Sequence, residues 1–243
     1  MNNQRIKQKR EIRMNKIRYC IAIVGSILFI LALFFTSFQI VLYGIPGFYE
    51  REYSKYNVLD DVKMEMEDVL YVTDEMMDYL IDKRSDLVIE TKVDGQAREF
   101  FNEREKLHME DVKRLFLQGL LLRNIAVILT IVAIIGLVLL KTDLKRVLPK
   151  AFITATLVVA IVSVMFAIYV ANNFAEVFVQ FHLIFFDNDL WLLNPETDLM
   201  INILPEGFFF DTVKAIGAAF GILLGAFLVA SGIIVKTNKD KIK

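Results

Sequence analysis

The sequence predicts an α-helical integral membrane protein with four transmembrane helices, both termini in the cytoplasm and a small, mainly helical extracellular cap. The prediction depends on composition, on four long apolar segments and on the distribution of basic residues. Of the 243 residues, 56% are hydrophobic and the mean hydropathy is +0.48, which is more than the core of one soluble domain covers. Charged residues make up 23%, close to the soluble average, so the apolar residues must be concentrated in segments. The net charge of -1 disfavours a nucleic-acid-binding protein.

Four apolar segments are long enough to cross a membrane, since about 20 helical residues span roughly 30 Å of hydrocarbon. The predicted transmembrane helices cover residues 19–43, 115–140, 151–175 and 215–235. The first segment exceeds the apolar length of a signal peptide, and no small-residue cleavage pattern follows it, so we interpret it as a retained anchor. Asp211 precedes the fourth segment and is predicted to cap that helix.

The basic residues predict the orientation of the chain. They are concentrated in the tail 1–18, the loop 141–150 and the tail 236–243, and short basic flanks remain on the cytoplasmic side. The segments 44–114 and 176–214 are predominantly acidic and are predicted to lie outside the cell. The protein is therefore expected in the cell membrane as a multi-pass protein, with any active site of these two segments on the extracellular face.

The two extracellular segments differ in pattern. In the cap domain 44–114, apolar residues from Val62 to Leu80 recur at helical spacing, and a second helix is predicted from Ala97 without a break into the second span. Asp94-Gly95 is a turn signal between the two helices and indicates a short hairpin or an irregular strand. The segment 176–214 is rich in phenylalanine and acidic residues, which predicts an interfacial or re-entrant loop.

The chain contains two histidines, His108 and His182, and both are predicted on the extracellular side near the membrane surface. Asp111 at i+3 and Arg104 at i−4 share one helical face with His108. Imidazole gains and loses a proton near neutral pH, which makes the pair a candidate for acid–base chemistry. The structural alternative for His108 is a solvated helix residue without a chemical role. For His182 it is membership of an aromatic belt at the membrane interface, and Trp191 has a similar alternative as an interfacial anchor.

Other chemistries are less well supported by the sequence. His108, Asp111 and His182 could ligate zinc, but no HExxH-type pair is present, so no metal is expected. The single cysteine, Cys20, lies at the cytoplasmic end of the first span, and no serine has a nucleophile motif, so an acyl-enzyme is not expected. The spans have almost no ionisable residue near mid-membrane, which disfavours a transporter. Arg123, at the outer end of the second span, is interpreted either as a snorkelling side chain or as an anchor for a polar lipid group.

Two motifs resemble those of a known family. The first is E-x-x-H-M-x-D-V-K, which begins at Glu105, and the second is F-H-x-x-F-F, which begins at Phe181 and is followed by a tryptophan and by P-E-x-F-F. Together they resemble the small four-span bacterial membrane proteins of the lipoprotein intramolecular transacylase family, Lit, over most of the chain. The two outer histidines of that family are understood as catalytic, and their counterparts here are His108 and His182.

The resemblance implies a membrane acyltransferase. Its reaction would move the sn-2 acyl chain of a diacylglyceryl-modified lipoprotein to the α-amine of the lipoprotein's own N-terminal cysteine, giving the lyso-form. Because ester and amine belong to one molecule, the protein need only hold them in a reactive geometry, and no covalent carrier is required. The implied partners are this lipid-anchored substrate and membrane lipid, with no cofactor, no nucleic acid and no obligate protein partner.

The roles of the individual residues follow from this hypothesis. One imidazole would act as general base while the other polarises the carbonyl or protonates the leaving oxygen, and His108 is assigned as the base. Asp111, Glu105 and Arg104 are expected to orient or support it. The candidate substrate-binding residues are Arg123, Trp191, Phe185 and Phe186. Two alternatives stay open, a non-enzymatic adaptor or sensor with an acidic extracellular domain and an intermolecular lipid acyltransferase.

Overall fold

The computed structural model describes residues 2–240, and this part of the chain is mainly helical with one small sheet. The helices are α1 (Asn2–Gly44), α2 (Phe48–Lys55), α3 (Val58–Val62), α4 (Met66–Leu80), α5 (Glu103–Leu139), α6 (Leu144–Asn172), α7 (Phe174–Phe185), α8 (Leu199–Ile203) and α9 (Glu206–Asp240). The strands β1 (Glu90–Val93) and β2 (Gln96–Glu99) pair antiparallel. The basic residues Lys241 and Lys243 of the predicted cytoplasmic tail lie outside the described residues.

Four helices, α1, α5, α6 and α9, are long and apolar enough to cross a membrane, which confirms the predicted fold class of a four-helix membrane protein. The orientation of the termini stays a prediction. The helices extend well beyond the apolar segments, because α1 alone has 43 residues and therefore a length of about 65 Å. The flanking charged residues are good helix formers and continue the helix outside the hydrocarbon. For the same reason α9 begins at Glu206, so Asp211 lies inside this helix and the predicted capping role is wrong.

The chain divides into two compact units. The membrane unit comprises the described residues up to Phe38, Leu122–Ile168 and the described residues from Gly217 onward. The site unit comprises Gln39–Leu121 and Tyr169–Ile216. The four apolar helices contribute residues to both units.

The membrane unit is held together by apolar packing between helices. The ring of Phe29 lies 6.0 Å from the ring of Phe152 and 4.8 Å from that of Phe227. At Gly25, a Cβ would lie 3.0 Å from the Cβ of Ala133, so this glycine permits the close approach of α1 and α5. Many other apolar side chains of the four helices are exposed, as expected for surfaces that contact lipid.

The site unit has its own core and a hairpin. Its largest fully buried side chains include those of Tyr53, Ile89 and Phe100. Asp94 and Gly95 both have positive φ angles, 52° and 72°, which is the geometry of the two-residue hairpin turn that joins β1 and β2. The predicted start of the second helix at Ala97 is wrong, because the residues 96–99 pair in β2 and α5 begins only at Glu103.

Candidate active site

His108 is positioned by the first turn of α5. Asn102 Oδ1 accepts the N–H of Glu105 at 3.0 Å, and Glu105 Oε2 accepts the N–H of Asn102 at 2.7 Å. This reciprocal capping box satisfies two of the free N–H groups at the start of the helix and fixes where the helix begins. His108 lies about one turn further along, and only 5% of its surface is exposed. The imidazole therefore projects from a well-anchored helix start.

His182 lies on α7 and has a defined tautomer. Its Nδ1 is 2.7 Å from the backbone oxygen of Phe178, one turn earlier in the helix, and 8% of its surface is exposed. A carbonyl oxygen can only accept, so Nδ1 carries the hydrogen. In the neutral ring, Nε2 then has a free lone pair and can act as a proton acceptor.

The two imidazoles share an aromatic enclosure. Their ring centroids are 6.1 Å apart, and the Phe186 ring lies 5.3 Å from His108 and 5.6 Å from His182. The indole of Trp191 stacks on His182 at 4.8 Å with an interplanar angle of 28°. Phe178 contacts His182 from another direction at 4.4 Å. These rings exclude water from both imidazoles.

The enclosure keeps both imidazoles neutral near pH 7. Burial lowers the pKa of His108 to about 4; the neighbouring His182 and Arg104 act in the same direction, and Asp111 opposes them. Burial also lowers the pKa of His182 below its ordinary value, although the hydrogen bond to the Phe178 carbonyl opposes this shift. The Nδ1 atom of His108 is buried and has no hydrogen-bond partner among the described residues, so it is available to a substrate atom.

The segment 187–198 between α7 and α8, which we call the strap, is attached to the first three turns of α5. Four contacts join the strap and the start of α8 to α5: Asn188 Nδ2 to Asp111 Oδ2 at 2.8 Å, Arg104 to the Asp189 carbonyl, Asn102 Nδ2 to Asp198 Oδ1 at 2.8 Å, and the N–H of Met200 to Glu105 Oε1 at 2.6 Å. Glu105 is fully buried, and burial raises its pKa, although the two backbone N–H donors oppose this shift. The polar contacts of α5 therefore hold the loop that carries Trp191.

The structure brings most of the residues chosen from the sequence into one site. His108, His182, Phe186 and Trp191 form the aromatic enclosure described above. The three supporting residues, Arg104, Glu105 and Asp111, make their hydrogen bonds with the strap, with α8 and within α5, and within the described chain they make none with an imidazole.

Two further chosen residues have these surroundings. Phe185 is 52% exposed and packs on Phe181, with ring centroids 4.8 Å apart. Arg123 belongs to the membrane unit, where its guanidinium donates to Asn124 Oδ1 at 2.9 Å.

Sequence reasoning missed four residues that shape the site: Asn102, Phe178, Asn188 and Asp198. Asn102 and Glu105 form an N-x-x-E capping-box pattern that could have been found from spacing alone. Phe178 precedes His182 by four residues, so its contact is readable once α7 is assigned as a helix. The contacts of Asn188 and Asp198 bridge 77 and 96 positions, and no local pattern indicates them.

Within residues 2–240, no group of three or more His, Cys, Asp or Glu side chains has the geometry of a metal site. The rings of Phe178, Phe186 and Trp191 that contact the imidazoles carry no nucleophilic or metal-ligating atom. The arrangement is suited to proton transfer and hydrogen-bond donation in a dry enclosure.

Comparison with known proteins gives both a family and a fold. The family model of the lipoprotein intramolecular transacylase Lit matches residues 23–209, which is more than half of the chain. No curated protein sequence matches the chain. Among solved structures, the chain is similar to the membrane-integral lipoprotein intramolecular transacylase Lit from Bacillus cereus, with a TM-score of 0.76 and 21% identity, over 93% of this chain and 99% of that one.

Two further structures of the Bacillus cereus protein, in which one histidine is replaced by arginine or by alanine, are similarly related. Their TM-scores are 0.75 and 0.74 at 20% identity, over 97% and 95% of this chain and 99% of each of theirs. At this level of identity the likeness establishes the membrane-integral fold. The family match includes the parts of α5 and α7 that carry His108 and His182, and it confirms the resemblance seen in the motifs. The chain therefore belongs to the lipoprotein intramolecular transacylase family, Lit, whose members are acyltransferases.

Proposed function

We propose that this enzyme moves the sn-2 acyl chain of a diacylglyceryl lipoprotein to the α-amine of the same lipoprotein's N-terminal cysteine, and that His108 and His182 carry out the proton chemistry. The observation that carries the proposal is the pair of buried imidazoles, 6.1 Å apart, inside an aromatic enclosure. Membership of the transacylase family supports the reaction type and disfavours the adaptor alternative.

His182 is the proposed general base. Its Nδ1–H is held by the Phe178 carbonyl, so Nε2 is the atom that can accept a proton. The same carbonyl stabilises the imidazolium formed when Nε2 is protonated, as a base requires. The sequence alone does not distinguish the two roles, and this proposal exchanges the provisional assignment of His108 as the base.

His108 is the proposed hydrogen-bond donor to the reacting carbonyl. Its pKa of about 4 makes it a poor proton acceptor at neutral pH, and a neutral imidazole still donates one N–H. Its buried Nδ1 has no partner within the described chain, so the ring has an unused position for a substrate oxygen. A neutral donor in a dry enclosure stabilises the oxyanion of the tetrahedral intermediate.

The proposed step balances without a cofactor or an acyl-enzyme. The amine nitrogen attacks the ester carbon while His182 takes the amine proton, and the C–O bond to glycerol then breaks as His182 returns that proton to the glycerol oxygen. The products are an amide and a free glyceryl hydroxyl, so the mass of the lipoprotein does not change. The aromatic side chains that contact the imidazoles offer no nucleophile that could carry the acyl group.

The substrate is anchored by lipid, and α7 supports access from the membrane. This helix has 12 residues, or about 18 Å, too short to span the hydrocarbon, and it follows α6 after a single residue. Leu183, Ile184 and Phe185 expose more than half of their surfaces, as expected for an interfacial helix. We infer that Phe185, Phe186 and Trp191 contact the acyl chains, and Arg123 stays a candidate anchor for a polar lipid group.

The site unit is proposed to lie on the extracellular face, on the basis of the positive-inside distribution. The single cysteine makes this testable, since Cys20 is exposed near the basic N-terminal end of α1. A membrane-impermeant maleimide should label Cys20 only in permeabilised cells. In a Cys20→Ser background, Ser85→Cys at an exposed position of the site unit should be labelled on intact cells. The reverse pattern would overturn the orientation.

The function is tested by mass spectrometry of the N-terminal lipopeptide of a reporter lipoprotein. Restoring the protein to cells that lack it should move one acyl chain from glycerol to the amine at constant mass. We expect His182→Ala to lower the rate by about 10²–10⁴-fold, through loss of the base, and His108→Ala by about 10²–10³-fold, through loss of the oxyanion donor. Thermal unfolding of both variants verifies that they fold. Full conversion by both folded variants would refute the proposed histidine chemistry.

An intermolecular acyltransferase remains the alternative, and isotope labels separate the two. Two lipoproteins with different peptide sequences are supplied together, one of them carrying heavy acyl chains. An intramolecular reaction leaves every heavy chain on its original peptide, whereas exchange of labels between the peptides would establish the alternative.

A further inference from the structure

Asn188 makes three hydrogen bonds that meet at the entrance of the strap. Its Nδ2 donates to Asp111 Oδ2 at 2.8 Å, and its Oδ1 accepts the N–H of Leu190 at 3.0 Å. Its backbone oxygen accepts the indole N–H of Trp191 at 3.1 Å. One residue therefore links α5, the turn of the strap and the indole.

The indole of Trp191 in turn covers one face of the His182 imidazole. Its N–H is held by the Asn188 carbonyl, which limits rotation of the ring, and its face stacks on the imidazole at 4.8 Å. The Phe178 carbonyl restrains the same imidazole from within α7. The orientation of His182 thus depends on one contact inside its own helix and on one ring that is held from α5 through Asn188.

We propose that Asn188 is a positioning residue for His182. Its hydrogen bond with Asp111 fixes the strap on α5, and the strap in turn fixes the indole of Trp191. The indole then holds the His182 imidazole in place and shields it from water. This inference rests on the proposed role of His182 as the base. Asp111 is itself ion-paired with Arg114 on the same helix, so the carboxylate that binds Asn188 is fixed on α5. The proposal also gives Asp111 a function in the site although it makes no hydrogen bond with an imidazole.

Replacing Asn188 with alanine adds or removes no titratable group. The titratable groups on α7 and on the elements packed against it include Glu176 on α7, His108, Arg104, Asp111 and Arg114 on α5, Asp187, Asp189, Glu196 and Asp198 on the strap, and Glu206, Asp211 and Lys214 on α9. Of these, the His108 ring lies 6.1 Å from His182. A change in the titration of His182 on removal of Asn188 therefore reports hydration and position, because no charge is added or removed.

Trp191 is the only tryptophan of the chain, so its fluorescence in the purified full-length protein in detergent micelles reports this contact. An imidazolium stacked on an indole quenches its emission, so a pH titration of the intensity should have a midpoint at the pKa of His182. His182→Ala should abolish that midpoint, which assigns it. With Asn188→Ala we expect emission at longer wavelength and a midpoint that moves up toward 6.5, the ordinary histidine value, because water reaches the imidazole.

The same variants are compared in transacylation. Asn188→Ala should lower kcat roughly tenfold with little change in KM, since the base is misplaced while the lipid contacts stay. Asn188→Asp places two carboxylates face to face and should be at least as defective. The double variant Asp111→Asn with Asn188→Asp reverses the polarity of the hydrogen bond and should restore both the rate and the fluorescence midpoint.

A matched control is Asn202→Ala, which removes a side-chain hydrogen bond to the Pro195 carbonyl of the same strap at 2.9 Å. It should leave the emission and the rate unchanged. The proposal is overturned if Asn188→Ala behaves like this control, or if the double variant restores neither readout. If His182→Ala still transacylates fully, the proposed role of His182 as the base is refuted. The fluorescence titration then decides by itself whether Asn188 positions Trp191 on His182.

Discussion

Hydroxyl groups inside the apolar helices of the membrane unit and buried carboxylates of the site unit find their hydrogen-bond partners in different ways. In the membrane unit, Ser26 donates to the Ala22 carbonyl at 2.7 Å and Thr36 to the Ala32 carbonyl at 2.7 Å, both four residues back in the same helix. In the site unit, the polar contacts of Asn102, Glu105 and Asp111 reach partners 77 to 96 positions away.

The difference follows from the surroundings of each unit. A hydroxyl within an apolar helix is satisfied most simply by its own backbone, so apolar packing decides how the membrane helices associate. The site unit instead has buried carboxylates whose partners come from distant segments, and these contacts position the strap beside the two imidazoles. Removal of a buried carboxylate from the site unit should therefore cost more than removal of a hydroxyl that bonds only within its own membrane helix.

The sharpest test of this contrast is Glu105→Ala. Glu105 is fully buried and accepts the N–H groups of Asn102 and Met200, so its removal leaves two buried donors without partners. We expect a loss of about 3 kcal/mol in the free energy of unfolding of the site unit. Unfolding in detergent can be followed by the emission of Trp191, which lies in this unit.

Two controls belong to this measurement. Glu103→Ala removes an exposed carboxylate from the same helical turn, and Ser26→Ala removes a buried hydroxyl from the membrane unit. Both should cost less than about 1 kcal/mol, since Glu103 forms a surface ion pair and Ser26 bonds only within its own helix. A cost for Ser26→Ala equal to that for Glu105→Ala would contradict the proposed contrast.

The same contrast explains how much of the structure the sequence predicted. The four apolar helices and the Asp94-Gly95 turn depend on local composition and spacing, so both were readable. The start of α5 was misplaced at Ala97, because the pairing of β2 with β1 outweighed a helical pattern of apolar residues. The two histidines and the aromatic residues could be chosen from the sequence, since few other side chains there are suited to the chemistry.

The roles within the site could not be read in the same way. Asp111 at i+3 was expected to orient His108, but the structure directs the Asp111 oxygens to Arg114 and Asn188. The tautomer of His182 depends on helix α7, which is not evident from a segment so rich in phenylalanine. Burial also lowers the pKa of each histidine, and burial depends on the whole fold rather than on neighbouring residues in the sequence.

A second comparison uses one glycine from each unit. At Gly207 of the site unit, an added Cβ would clash with the ring of Tyr56, whose hydroxyl donates to Asp211 Oδ2 at 2.6 Å. The ring cannot move without losing that hydrogen bond, so Gly207→Ala should cost about 2 kcal/mol. Gly25→Ala in the membrane unit meets only a methyl group at 3.0 Å and gains helix propensity, so it should cost less than about 1 kcal/mol. Thermal unfolding of the two variants side by side gives the comparison, and an equal or inverted order would contradict it.

The smallest expected effect is a pH dependence confined to the site unit, which holds both histidines. The pKa of His108 is about 4 in the folded protein and near 6.5 when unfolded, so the unfolded chain binds more protons between these values. The stability is therefore fully present above pH 6.5 and falls as the pH is lowered toward 4, by about 1 kcal/mol at pH 5.5. The depressed pKa of His182 adds to the loss in the same direction.

The unfolding midpoint, measured by Trp191 emission from pH 7.5 to 4.5, should fall with acid in the native protein and less steeply in His108→Gln. Groups with a raised pKa such as Glu105 oppose this trend and are common to both proteins. Equal slopes in the native protein and in His108→Gln would therefore mean that the His108 imidazole is hydrated, and the dry enclosure on which the proposed chemistry depends would be wrong.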